Sequence, residues 1–325
     1  MSSPSQFSPD KISIALCTYN GEQFLSRQLE SIQQQTRAPD ELVVCDDGST
    51  DSTVEILQDF AASAGFPVRI TRNPHNLGFV ANFERAIQLC RGDLIALSDQ
   101  DDIWDPMRLE RSQREFTAHP EVGLVFSDAD IIDDQDRGTG TRLWQNFGFA
   151  GERKQRLLAG DYTVLAKNRF VTGATVMFRS RLRENCLPIG SDWLHDEWIA
   201  ATAAAVADIV PIESPLIRYR QHASQQVGLS PSPSFRERQQ RHWSELSRQI
   251  GLLDEMCSKL SQQPLTPRGE ALYSCYKSHL RFARFRCSLP ESRVARMSSM
   301  LREYASYSAL GSGVRSMATD FVLSK

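Results

Sequence analysis

An alternation in the first hundred residues limits the fold more than any other feature of the chain. Short runs that are apolar throughout (ISIALC 12–17, ELVVC 41–45, PVRIT 67–71, DLIAL 93–97) are separated by segments with apolar residues at helical spacing. Those segments are residues 21–35, where Phe24, Leu25, Leu29 and Ile32 share a face, and residues 54–65 and 79–90. Strands without a polar side belong in a parallel sheet covered on both faces. The order β-α-β-α-β-α-β thus predicts an α/β fold, a mostly parallel sheet flanked by helices. Ligands of such sheets lie beyond the carboxyl ends of the strands. Three polar loops fall there: TYNGE after the first strand, DDGSTD after the second and SDQDD after the fourth. Ser49 and Asp51 are the candidates to cap the helix after the second loop.

Further on, strands are expected at 122–131, 169–180 and 214–222, a flexible turn at 133–140 and a helix at 192–207. SPSPS at 230–234 reads as a linker, followed by helical stretches at about 235–262, 268–287 and 291–309. The expected division is residues 1–229, carrying the site, and a helical extension, 230–325. Net charge is only -3, but residues 218–325 carry 17 Lys+Arg and 8 Asp+Glu, so the front is acidic and the back basic. The acidic balance and the lack of a recognised binding motif argue against nucleic acid as a partner. Seven cysteines, an odd number without a CxxC, read as reduced thiols in a reducing compartment and argue against a zinc site. MSSPSQFSPDK lacks the basic start and apolar core of a signal peptide. AATAAAVADIVPI is too short for a span, which needs ~20 apolar residues. A cytoplasmic location is expected, with peripheral contact to the inner face of the membrane as an option.

The stretch LSDQDDIW puts three carboxylates, Asp99, Asp101 and Asp102, where an apolar strand ends. Carboxylates this close are stable together when a cation sits among them. Hard divalent ions take oxygen ligands, and Mg²⁺ is commonly held by one or two carboxylates plus substrate phosphates. At an extended strand end Asp99 and Asp101 project to one side, so one could hold the metal and the other a ribose hydroxyl. The plainer alternative is a solvated acidic turn capping a helix that starts near Pro106. Two further polar loops at the same sheet edge favour a shared pocket.

Five segments, TYNGEQFLSRQLESIQQQT, DDGSTDST, NLGFVANFERAI, GDLIALSDQDDIW and YRQH, occur in this order within residues 11–228. Together they resemble glycosyltransferase family 2, with its Rossmann-like GT-A fold. Within it they are most similar to bacterial rhamnosyltransferase-type enzymes of surface-polysaccharide assembly. The resemblance implies an inverting hexosyl transfer that uses Mg²⁺ or Mn²⁺. The donor would be dTDP- or UDP-linked, dTDP-rhamnose first, and the acceptor a glycan or lipid-linked glycan.

By the same resemblance Thr18, Tyr19, Asn20 and Asp47 hold the nucleotide. Asp47 would accept the imide N–H of uracil or thymine, or else form an Asx turn within DDGS, with Asp46 structural. Asn76, Gly78 and Asn82 would lie beside base and ribose, although Asn82 could equally be an exposed helix residue. Asp99 is assigned to ribose and metal, Asp101 to the metal directly, and Asp102 to a place behind them near the sugars. LHDEW would supply the base, Asp196 or its neighbour Glu197, unless both merely face solvent in a first helical turn. Trp193 and Trp198 either stack on sugars or belong to the core. His222 would be a third metal ligand or a diphosphate contact. Arg218 and Arg220, at alternating strand positions, would pair with the diphosphate. Gly173 would let donor sugar or acceptor approach the backbone.

The last hundred residues match no family by inspection. In LYSCYKSHLRFARFRC, Leu272, Tyr276, Leu280, Ala283 and Cys287 share one helical face, with Lys277, Arg281 and Arg284 beside it. Such a helix lies on an anionic bilayer, or packs on the catalytic part or on a second subunit of a homo-oligomer. Two other classes stay open: a metal-dependent phosphatase or nucleotidyltransferase, and a non-catalytic nucleotide-sugar binder.

Overall fold

A computed structural model describes residues 10–222 and 235–322. The four apolar runs become strands β1 (Ile12–Thr18), β2 (Glu41–Asp46), β3 (Val68–Arg72) and β4 (Leu94–Ser98). They pair in parallel in the order β3-β2-β1-β4. Every residue of β1 and β2 is buried, as strands covered on both faces must be. Helices α1 (Leu25–Gln33), α2 (Thr53–Ser63) and α3 (Phe79–Leu89) form the crossovers. Ile14 lies opposite Leu42 on one side and Ala96 on the other. All three join Leu25, Leu29 and Ile32 of α1 in one core. Each of the leucines and isoleucines contributes roughly 1.5–3 kcal/mol on burial, which fixes the strand ends and the loops they carry. Because β1 lies between β2 and β4, the chain leaves it in one direction and returns on its other side. In sheets of this kind the ligand crevice lies at that switch point, which here falls between the loops after β1 and β4.

The sheet continues through β5 (Ile103–Trp104), β6 (Val122–Ile132), β7 (Gly138–Arg142), β8 (Val176–Arg179) and β9 (Asp208–Arg220). Its full order is β3-β2-β1-β4-β8-β6-β9-β5, with β7 paired to β6. β6 and β9 are parallel, and β8 is antiparallel to both of its neighbours. Helices α4 (Arg108–Ala118), α5 (Leu143–Asn146), α6 (Gly151–Leu158), α7 (Arg183–Cys186) and α8 (His195–Val206) complete this unit. The expected α/β architecture is present.

Several boundaries differ from expectation. The strand expected over 169–180 is only Val176–Arg179, because residues 173–175 form a tight turn in which Thr175 N–H donates to the Thr172 carbonyl. β9 begins at Asp208, six residues early; Pro211 and Pro215 within it disguise a strand whose register against β6 shifts repeatedly. The turn at 133–140 is a hairpin into β7, closed by Asp133 Oδ1, which accepts the N–H groups of Gln135 and Arg137 at 2.9 Å. The α4 end is organised by Asp105, whose Oδ1 accepts Met107 N–H at 2.9 Å, so the acidic cluster is not needed as its cap.

Contacts divide the chain into two compact units, Met1–Gln225 and Gln226–Lys325. The SPSPS linker and the expected boundary at 229/230 lie outside the described residues. The second unit contains α9 (Phe235–Ser261), α10 (Pro267–Cys287), α11 (Arg293–Arg302), α12 (Tyr304–Leu310) and α13 (Val314–Val322). The last expected helical stretch is thus split at Glu303, and α13 is additional. Thr266 caps α10, its hydroxyl accepting Gly269 N–H at 3.0 Å, with Pro267 in the first turn. The apolar face of α10 is inward: Leu272, Tyr276, Leu280 and Ala283 are all buried. This corrects the expectation that this face could meet a bilayer.

Asp320 of α13 is wholly buried and accepts from Arg286 Nε and Nη2 at 2.8 and 2.7 Å, and from Tyr307 Oη at 2.6 Å. His242 Nε2 lies 3.0 Å from Asp320 Oδ1, so α9, α10, α12 and α13 meet at one carboxylate. Burial alone would raise that carboxyl; the bonds from Arg286, His242 and Tyr307 outweigh it and hold it down to about 2. All seven cysteines are free thiols. No helix among the described residues is long and apolar enough to cross a membrane.

Candidate active site

Side chains stitch the three loops at the carboxyl ends of the strands together. Asp46 ends β2 fully buried; its Oδ1 accepts Gly48 and Ser49 N–H at 3.2 and 2.9 Å, and its Oδ2 accepts the Thr18 hydroxyl at 3.0 Å. It is the structural residue of the DDGS loop, and Thr18 is spent on holding it. Asn20 has a left-handed backbone (φ 48°), donates its N–H to Ser49 Oγ at 2.9 Å and accepts Thr50 N–H at 2.9 Å. Ser49 therefore serves the first loop, and Asp51 caps α2 by accepting Thr53 N–H at 3.1 Å. Tyr19, with an exposed ring, donates its N–H to Gln100 Oε1 at 2.8 Å, and Gln100 Nε2 returns a bond to the Tyr19 carbonyl at 3.1 Å. A Cβ on Gly21 would come 2.3 Å from Gln100 Oε1, so only glycine admits this bridge. Gln100, the middle residue of Asp99-x-Asp101, drew no attention in the sequence because its type carries no obvious chemistry.

Asp47 corrects an expectation. It is only 2% exposed, and its Oδ1 accepts Asn73 Nδ2 at 2.7 Å and Leu77 N–H at 2.8 Å, while Oδ2 accepts Gly78 N–H at 2.9 Å. It neither organises DDGS nor faces a base; it holds the 73–78 loop. Asn82 is likewise buried, not exposed, accepting Asn73 Nδ2 at 2.8 Å and donating to the Cys45 carbonyl at 2.9 Å. It supports that loop and does not reach a ribose. Gly78 takes φ 84° at the start of α3, a conformation that favours glycine. Asn76 is exposed at the tip.

In the acidic loop Asp99 and Asp101 are partly buried and Asp102 fully so. Burial first, then the charges of Asp101 and Asp196, push the Asp99 carboxyl up to about 7, with Arg108 opposing. Asp101 Oδ2 lies 2.9 Å from His222 Nε2, and the His222 ring packs on Phe24 at 4.9 Å. Asp102 turns inward: Oδ1 accepts Arg220 N–H at 3.0 Å and Oδ2 has no hydrogen-bond partner among the described residues. Burial and then the neighbouring aspartates push its carboxyl well up. A fully buried Asp102 does not touch a sugar, which corrects its assignment. Arg108, buried and stacked 3.5 Å over Trp104, donates to the carbonyls of Leu97 and Ala174 at 3.0 and 2.6 Å. It supplies the positive charge beneath the loop.

The two strand arginines also differ from expectation. Arg220 is 0% exposed; Nε donates to the Asp101 carbonyl at 2.7 Å, Nη1 to the Asp133 carbonyl at 2.8 Å, and Nη2 pairs with Asp136. Arg218 is exposed but donates to the Asp136 carbonyl. Both clamp the β6–β7 turn; Arg220 has no surface with which to meet a diphosphate.

Asp196 sits in the first turn of α8. Its Oδ2 accepts Gly173 N–H at 3.1 Å and its Oδ1 accepts Glu197 N–H at 2.8 Å. Its charge adds to the upward push on the Asp99 carboxyl. Glu197 is paired with Arg169 at 2.7 Å, so neither acid simply faces solvent. Trp198 is core, 2% exposed, with Nε1 donating to the Cys186 carbonyl at 2.7 Å, which removes it from the sugar contacts. Trp193, half-buried, leans on Trp198 with ring centres 5.8 Å apart.

His195 was not singled out in the sequence. It is buried, stacked on Phe83 at 4.1 Å and edge-on to Phe79 at 6.1 Å, with neither ring nitrogen hydrogen-bonded among the described residues. Burial lowers its pKa, against the pull of Asp196. A Cβ on Gly173 would come 2.3 Å from His195 Nε2. Gly173 is therefore required by a histidine of this chain, whether or not substrate approaches it.

Among the described residues no three His, Cys, Asp or Glu side chains form a ready metal cage. The Asp101–His222 pair, with Asp99 two residues back in the same loop, offers carboxylate oxygens and one imidazole. That donor chemistry would suit a hard divalent ion such as Mg²⁺ or Mn²⁺.

The sheet order, the switch-point crevice and the crowded acids define the class. The fold is that of GT-A glycosyltransferases. TarS 1-349 of S. aureus, in a structure with UDP-GlcNAc, superposes with a TM-score of 0.60 at 16% identity, covering 96% of this chain and 89% of that one. The mannosyltransferase PcManGT of Pyrobaculum calidifontis, with GDP-Man and Mn²⁺, gives 0.52 at 17% identity over 99% and 84%. A family model for glycosyl transferase family 2 matches residues 13–184, and the chain belongs to that family. An uncharacterized protein of Mycobacterium tuberculosis is 28% identical over 219 residues, 65% of this chain and 59% of its own length.

Proposed function

We propose that the protein is an inverting, divalent-metal-dependent glycosyltransferase. It moves a hexose from a pyrimidine nucleotide diphosphate to a hydroxyl of a bacterial surface glycan, free or lipid-linked. Family membership and the nucleotide sugars bound by its structural neighbours support a nucleotide-sugar donor. The resemblance of the loop motifs to rhamnosyltransferase-type enzymes favours dTDP-rhamnose, with UDP-hexoses next. The reading rests on Asp99 and Asp101 at the end of β4, with Asp101 Oδ2 2.9 Å from His222 Nε2, and on Asp196 in the first turn of α8, whose charge adds to the upward push on the Asp99 carboxyl.

In this mechanism Asp196 is the general base. Gly173 N–H and Glu197 N–H orient its two oxygens. It takes the proton of the acceptor hydroxyl as that oxygen attacks the anomeric carbon from the face opposite the diphosphate. A C–O bond forms to the acceptor, the bond to the phosphate oxygen breaks, its electron pair leaves with the nucleotide diphosphate, and configuration inverts. Glu197, already engaged by Arg169, supports the helix start and is not the base. Asp101, His222 and Asp99 would hold the cation. When bound, it neutralises charge on the leaving diphosphate as a Lewis acid. Tyr19 and Asn76, both with exposed side chains, border base and ribose.

The test is a thermal-shift panel of nucleotides and nucleotide sugars, each with and without Mn²⁺. Nucleotide diphosphate release from the stabilising donor, in the presence of glycan acceptors, follows. Cation-dependent stabilisation by UDP- or dTDP-sugars is expected. Release of inorganic phosphate or pyrophosphate instead would favour a phosphatase or nucleotidyltransferase.

A further inference from the structure

Eleven large apolar side chains are exposed among the described residues, and six of them fall between residues 294 and 322. Scattered single residues of this kind are ordinary, but a contiguous row is not. On α11, Val294 (82% exposed), Met297 and Leu301 (60%) follow i, i+3, i+7 spacing and form one stripe. Tyr304, half exposed, extends it at the start of α12. The inward side of α11 is already used: Met300 is fully buried with Phe282, Tyr307 and Met317. Arg296, also buried, donates from Nε to the Pro290 carbonyl at 2.7 Å. Met300 and Arg296 thus have their partners within this unit, while the outward stripe has none among the described residues.

Charge indicates what covers the stripe. RVARMSSMLR has three arginines and no acid, and Arg293 and Arg302, at its two ends, are exposed. Arg315 is exposed beside Val314, itself 68% exposed, on α13. Residues 226–325 carry 15 Lys+Arg against 8 Asp+Glu, a net charge of +7. Two copies meeting through this face would bring like charges together. An apolar stripe ended by arginines matches an interfacial helix, with aliphatic stems in the acyl boundary and guanidinium groups at lipid phosphates. We propose that the outward face of α11, continued by Tyr304, docks the protein on an anionic lipid bilayer. This surface is independent of the transfer reaction and differs from the apolar face of α10, which is buried.

The test is flotation of the full chain with vesicles of phosphatidylcholine alone or mixed with phosphatidylglycerol. The protein should float with the mixed vesicles only, and less at high salt. Val294→Glu/Leu301→Glu should cut the bound fraction at least about tenfold. Arg293→Gln/Arg302→Gln should weaken binding without touching the apolar stripe, which covers the case of a misfolded first variant. Leu158→Glu, at an exposed apolar position of the first unit, should change nothing. No flotation with either vesicle, or undiminished flotation of both double variants, would overturn the proposal. So would a wild-type dimer that Val294→Glu/Leu301→Glu converts to monomer, since the face would then belong to a second copy.

Discussion

Arg220 Nε donates to the carbonyl of Asp101 at 2.7 Å from a position with no exposed surface. The guanidinium lies 4.5 Å over Phe24, and through the Asp133 carbonyl and the Asp136 carboxylate it ties the β6–β7 turn to the acidic loop. Arg220→Ala should destabilise the first unit by about 3–5 kcal/mol, the usual cost of removing one partner of a buried pair. Urea unfolding measures it. Arg220→Lys should recover little, since an ammonium lacks the planar fork. A variant of normal stability that lost only nucleotide affinity would return Arg220 to the diphosphate.

Gly173 and His195 should behave as a coupled pair. Gly173→Ala places a Cβ 2.3 Å from His195 Nε2, and overpacking of this kind costs about 1–3 kcal/mol. In Gly173→Ala/His195→Ala the clash is absent, so the double-mutant cycle should show an interaction of roughly 0.5–3 kcal/mol. Strict additivity would mean that the two residues do not touch.

The first four strands and their helices were legible because strands covered on both faces must be apolar throughout. The start of the late strand is hidden in the sequence because Pro211 and Pro215 look like breakers, yet β9 carries Pro211 opposite Phe126 in regular pairing and Pro215 where its register shifts. Asp99, Asp101 and His222 at strand ends, and Asp196 in the first turn of α8, stand out in the sequence by residue type and position. Which neighbouring polar residues turn inward does not. Asp46 and Asp47 are adjacent, as are Asp101 and Asp102, and a change of side decides what each of two identical side chains holds: Asp46 its own loop and Asp47 the 73–78 loop, Asp101 the imidazole of His222 and Asp102 the Arg220 N–H. Asp47, Asn82, Asp102, Arg220 and Trp198 read as ligand contacts because their chemistry suits ligands; burial assigns them to holding loops and core. Gln100 and His195 act through geometry, bridging and wedging, which residue type does not advertise.

Asp320 gives the second unit an acid dependence. Its carboxyl is held to about 2, below the ~3.9 of an unfolded chain, so between those values the unfolded state binds more protons. Its contribution is complete above about pH 4 and is lost as pH falls through about 2. Asp320→Asn strands Arg286 and should cost about 3–5 kcal/mol at neutral pH. The gap between wild type and variant in urea unfolding should narrow across that acid window. A constant gap would contradict the assignment.

Asp196→Asn should retain nucleotide binding while transfer falls ~10²–10⁴-fold, the usual contribution of a general base. Glu197→Gln should cost far less, because Glu197 serves Arg169. Nucleotide diphosphate release under donor saturation separates the two. Equal losses would place the base elsewhere or make the pair act together.

Calorimetric titration of UDP and dTDP into wild type and Asp101→Ala, with Mn²⁺ and with chelator, bears most directly on the crowded acids beyond β4. Tight binding of at least one nucleotide in Mn²⁺ is expected, with a large loss in chelator and the same loss in Asp101→Ala whatever the cation. Equal wild-type affinity with and without Mn²⁺, unchanged by Asp101→Ala, would contradict that expectation.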